Sequence, residues 1–172
     1  GRFWLVADTD EVRAICAAVL AHVQRQHKVV VYGEVVMSNH FHVVVRADSP
    51  QQISDVMRDF KSAVARKVNA DRGRRGTFWD GRYDLQECSE EAQAQVEQLV
   101  YVVGHGAKEG LVAEPQDWPG LSAAGELLDG AMGDAGRRAG IVRSVLPGLA
   151  HLTAEERREV FRAEVAKVVA QG

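Results

Sequence analysis

The stretch KVVVYGEVVMSNHFHVVVRA, residues 28–47, decides how the rest of the chain is read. Two runs rich in valine flank Ser38-Asn39, a pair suited to a tight turn, so the segment predicts two antiparallel strands joined as a hairpin. Alternate residues of a strand share a face. His40 and His42 therefore project together, while Phe41, Val43 and Val45 face the opposite way. Same-face neighbours stand only about 7 Å apart along a strand, within reach of one cation. A His-x-His pair has two readings: both imidazoles hold a metal, or one is bonded in the core and the other is exposed.

Helical patterns lie on either side of the hairpin. Asp8 or Thr9 caps a stretch in which Val12, Ile15, Cys16, Val19 and Val23 recur at helical spacing. Ser49-Pro50 opens a second helix that turns Ile53, Met57, Phe60, Val64 and Val68 inward. The loop DRGRRG follows, then TFWDGRYDLQE with a short strand expected near Tyr83. A third helix is expected from Ser89 to about Gly104, and Pro115 and Pro119 interrupt the segment after it. Residues 125–152, rich in Gly, Ala and Arg, read as a flexible linker. Thr153 and Glu156 form a capping box for a C-terminal amphipathic helix over 153–170. The expected class is α+β: a ferredoxin-like antiparallel sheet with helices packed on one face, forming a domain over 1–124, and an added C-terminal helix.

The chain has 172 residues, 46% hydrophobic and 26% charged, within the range of an ordinary globular domain. No apolar run approaches the ~20 residues of a membrane span. Cys16 and Cys88 have no metal-ligand spacing, and a reduced cytoplasmic protein is expected. The net charge of −3 argues against a generally basic DNA-coating protein. It is unevenly distributed: between Arg58 and Arg82 eight basic residues face three acidic ones. That patch reads either as a solvated helix face or as a nucleic-acid contact. In the third helix, Tyr101 and His105 are four residues apart and share a face, and Gln98 lies one turn before. A tyrosine in that position is either packing or a nucleophile beside a metal ligand.

Taken in order, Ser38-Asn39-His40-Phe41-His42, Trp79 with Arg82, Tyr101-Val-Val-Gly-His105-Gly106-Ala-Lys-Glu-Gly110, and Trp118-Pro119 resemble the single-tyrosine HUH transposases. The likeness to the REP-associated tyrosine transposases and their bacterial relatives spans roughly residues 12–124. It implies a metal-dependent endonuclease and strand transferase acting on single-stranded or hairpin DNA, through a 5′-phosphotyrosine intermediate. By position, Tyr101 is the implied nucleophile, with Tyr83 as the alternative. His40 and His42 are implied ligands of Mg²⁺ or Mn²⁺, and His105 stands where the family often has a ligating Asn or Gln. The implied DNA contacts are Lys61, Arg66, Lys67, Arg72, Arg74, Arg75, Trp79 and Arg82. The family usually carries a strand before the first helix, flanking the His-x-His strand. RFWLVA is a poor candidate for it, so an edge is expected to be exposed and covered by a homodimer partner or by rearranged pairing. A truncated remnant, or a relative that binds DNA hairpins without cutting, is the other reading.

Overall fold

The computed structural model describes residues 9–171, so the stretch RFWLVA lies outside the described residues. Helix α1 (Asp10–His27) starts where the Thr9 hydroxyl accepts from the Val12 amide, with Asp10 and Glu11 in its first turn. Both features offset the unpaired amides of a helix start. Strands β1 (Val30–Val36) and β2 (Phe41–Arg46) pair antiparallel, as the hairpin reading requires. A bulge between Val31 and Gly33 interrupts their register. Helix α2 (Pro50–Asp71) has Ser49 as its cap and buries Val56, Met57, Phe60, Val64 and Val68.

Helix α3 (Ala92–Val103) stops at Gly104, and a four-residue helix α4 (His105–Lys108) continues beyond it. Short helices α5 (Ala124–Asp129) and α6 (Asp134–Ala139) precede α7 (Ala154–Ala170), which begins with the expected capping box of Thr153 and Glu156. Among the described residues no helix is long and apolar enough to cross a membrane.

The α+β class, the antiparallel sheet and the C-terminal helix are as expected. The helices, however, divide between both faces of the sheet. One core joins α1 and α2 to Val31 and Val36, with Phe41, Val43 and Val45 packed against it. The other joins α3 and α7 to Tyr32, Val35 and Met37, with Val44 packed against it. β2 thus has apolar residues on both sides, which is why its valines run without alternation.

Two further expectations are corrected. No strand forms near Tyr83; residues 74–90 are irregular, held by single hydrogen bonds to the helix before them. Trp79 Nε1 donates to the Lys61 carbonyl at 2.7 Å, and Lys61 Nζ donates to the Gly81 carbonyl at 2.8 Å. The second correction concerns residues 125–152, which carry helical turns and bury Leu128, Ile141, Leu146 and Leu149. Their glycines end helices here: Gly130 and Gly140 close α5 and α6 with φ of 72° and 77°, a region that costs glycine nothing.

Residues 121–123 and 143–144 close the outer edge of β1. Val36 N donates to the Leu121 carbonyl at 2.8 Å, Ala123 N to the Glu34 carbonyl at 2.9 Å, and Ser144 N to the Val31 carbonyl at 2.8 Å. Arg143, 3% exposed, is fixed in this edge by Glu34, also 3% exposed, and by Glu126 at 2.9 Å. Among the described residues, no strand pairs with the outer edge of β2.

Candidate functional site

His42 lies in β2 opposite Val35, on the face that carries α3. His40 sits at the mouth of the hairpin, where its carbonyl accepts from the Met37 amide at 2.8 Å. Gly33 decides how close α3 comes. A Cβ there would stand 2.6 Å from Leu99 Cδ1 and 3.3 Å from the Ala123 Cβ. The bare backbone of β1 therefore lets α3 settle against the sheet, which carries Tyr101 and His105 over the two histidines.

The result is a cluster of three imidazoles. Donor atoms of His40, His42 and His105 all lie within 4.8 Å of one another. The ring centroids are 5.1 Å apart for His40–His42, 5.0 Å for His40–His105 and 4.8 Å for His42–His105. His40 Nε2 approaches His105 Nε2 at 3.1 Å. The other nitrogen of His40, Nδ1, lies 2.6 Å from Asn39 Oδ1, which can only accept; Nδ1 therefore carries the proton and Nε2 the free lone pair. That is the outer support typical of ligating histidines. His42 Nε2 and His105 Nδ1 are buried with no hydrogen-bond partner.

Burial pushes all three imidazoles below their ordinary range. His42 falls to about 4 through burial and then through the neighbouring His105 and His40. Burial lowers His40, and His105 adds to the effect while Glu109 opposes it. Burial also lowers His105, with Glu109 opposing and Lys108 reinforcing. All three are thus held neutral at pH 7, the form that donates to a metal. Two buried nitrogens without partners and a lone pair fixed by Asn39 fit a divalent cation, and the described residues offer three ligands for it.

Tyr101 is 39% exposed, its ring 6.1 Å from that of His42 and 5.9 Å from that of His105. The Lys108 ammonium lies 4.6 Å over the same ring. Tyr83 is elsewhere: its hydroxyl lies 3.1 Å from Ser54 Oγ on α2. Of the residues expected to contact DNA, Arg66, Lys67, Arg72, Arg75 and Arg82 are exposed, and Arg74 is half-buried. Lys61 and Trp79 are occupied in packing. The Trp79 ring stands edge-on to Phe41 at 5.4 Å, and Lys61 lies over Trp79. α2 and the Trp79 loop belong to the opposite layer from the histidine cluster.

Lys108 and Glu109 act electrostatically on the cluster, yet sequence reading passed over them. The signal available was their place about two turns beyond Tyr101, just after His105 in the stretch already singled out. The Glu34–Arg143 pair had no such signal, since 109 residues separate its members.

The family model described as transposase, IS200 like, matches residues 6–102, which include His40, His42 and Tyr101 and stop three residues before His105. No curated protein and no solved structure matches the chain.

Proposed function

The chain belongs to the IS200-like transposase family, and from that premise we propose that it cuts and rejoins single-stranded DNA with Tyr101 as nucleophile. The observation that carries this reading is the convergence of Tyr101 with His40, His42 and His105, drawn from a hairpin and a helix far apart in sequence.

In the proposed step the Tyr101 oxygen forms a bond to the scissile phosphorus, and the bond from phosphorus to the 3′ oxygen breaks. The phenolic proton passes to water, and the leaving 3′ oxygen is protonated to a free hydroxyl. A 5′-phosphotyrosine remains, and the reverse step rejoins the strand. Tyrosine is mostly protonated near neutral pH, with a reference value of about 10, so the reaction needs local positive charge. A divalent metal, Mg²⁺ or Mn²⁺, held by His40, His42 and His105, would supply that charge at the phosphate.

The chain's own residues do the positioning. Asn39 orients His40, Gly33 and Leu99 set the height of α3 over the sheet, and α3 presents the partly exposed Tyr101 toward solvent. Arg66, Lys67, Arg72, Arg75 and Arg82 contact the DNA backbone away from the cut, with little sequence choice. A cytoplasmic homodimer is part of the proposal, and the edge of β2 left unpaired among the described residues supports it.

The test uses single-stranded hairpin DNAs from the gene's flanks, labelled at the 5′ or 3′ end, with wild type, Tyr101→Phe and Tyr83→Phe. A covalent adduct that needs Mn²⁺ and disappears only in Tyr101→Phe supports the reading. A mobility shift without adduct makes the chain a hairpin-binding relative instead.

A further inference from the structure

We propose that Lys108 forms a phosphodiester-binding subsite beside Tyr101, contacting the DNA backbone next to the bond that is cut. This rests on the nuclease reading and names a contact that reading does not contain.

Lys108 ends α4, and its ammonium stands 4.6 Å over the Tyr101 ring. Its influence on His105 places the same charge close to the histidine cluster. It is exposed, and among the described residues it makes no ion pair. Several other surface cations on the helices are engaged: Arg58 by Asp55 and Asp59, Arg158 by Glu155, Lys167 by Glu164. A free ammonium held over a tyrosine by the ring's negative face is a point charge with three donors, suited to a phosphate oxygen. The basic stretch from Arg58 to Arg82 does not fill this role. It lies on α2 and the loop after it, in the layer across the sheet, and Lys61 is bonded to Gly81. DNA lying against Tyr101 therefore meets Lys108 first.

The experiment measures anisotropy of labelled single-stranded DNA against salt, with chelator present, on a Tyr101→Phe background. Lys108→Met keeps the apolar stem over the ring and removes the charge; Lys108→Arg restores the charge. Lys108→Met is expected to weaken binding about fivefold at low salt and to reduce the salt slope by about 0.7, the value of one phosphate contact on a single strand. Lys108→Arg is expected to match the parent. With Tyr101 restored, Lys108→Met should raise the DNA concentration needed for half-maximal adduct by a similar factor.

An unchanged slope and affinity in Lys108→Met, with adduct formed normally, overturns the subsite and leaves the nuclease standing. A reduced slope without adduct in wild type leaves Lys108 a phosphate contact of a binding protein and overturns the nuclease and, with it, the place of the subsite beside a cut bond. A parent that binds no DNA overturns both.

Discussion

His40 Nε2 and His105 Nε2 lie 3.1 Å apart across 65 residues of chain. Two imidazoles at that distance cannot both be charged without strong repulsion in a partly buried setting. One nitrogen must offer a lone pair to the other's proton, or both must offer lone pairs to a cation. The contact joins the hairpin to the start of α4, so what happens to these rings reaches the packing of α3 as well.

Acid should expose this arrangement in metal-free protein. Burial lowers His40, His42 and His105, with His42 reaching about 4. In the unfolded chain each takes up its proton near pH ~6.5. Between about 6.5 and 4 the unfolded state therefore binds more protons, and stability falls as pH falls through that window. Melting temperatures with chelator present should be flat above pH ~7 and decline below it. His42→Gln should decline less steeply, and an identical decline would mean that His42 does not titrate there.

Metal binding should distinguish the donor set. Imidazole nitrogens suit Mn²⁺ and later transition ions better than Mg²⁺, which prefers oxygen. Chelator-stripped protein should gain roughly 5 to 10 °C in melting temperature with Mn²⁺ at about a hundred times its dissociation constant. Equal Mg²⁺ should give a smaller shift. His40→Ala, His42→Ala and His105→Ala should each abolish most of the gain, and retention of the full gain in His105→Ala would reduce the ligand set to the hairpin pair.

The Glu34–Arg143 pair is buried on both sides, so removing one partner leaves an uncompensated charge. Arg143→Ala should cost about 3–5 kcal/mol in urea unfolding. Glu34→Gln combined with Arg143→Met should recover much of that loss. If Arg143→Ala alone is mild, the edge formed by residues 143–144 contributes little to the fold.

Gly33→Ala tests the link between packing and site. The new methyl would meet Leu99 Cδ1 at 2.6 Å. A loss of about 1–3 kcal/mol is expected, together with weaker Mn²⁺ binding because α3 is lifted from the sheet. Adding Leu99→Ala should restore metal affinity even though it does not restore full stability. Affinity unchanged in Gly33→Ala would uncouple the height of α3 from the cluster.

The sequence alone determined whatever is written within one element. Period two put His40, at the mouth of the hairpin, and His42, in β2, on one side; helical spacing put Tyr101 and His105 on one side of α3 and its continuation α4; and Thr153 with Glu156 started α7. These are local rules, fixed by backbone geometry over a few residues. Only the tertiary structure decided which face of the sheet received α3, and hence that the two pairs meet. It also decided that the Gly- and Ala-rich stretch 125–152 folds back, its turns made by glycine and its place on β1 fixed by Glu34 and Arg143. Composition read as flexibility there because the partners that order it lie far away in the chain. It likewise drew attention to the abundant charges near α2, whereas the cation that lies over Tyr101 among the described residues is Lys108. Which charge stands beside a nucleophile follows from how helices and strands close on one another, and no local spacing encodes that.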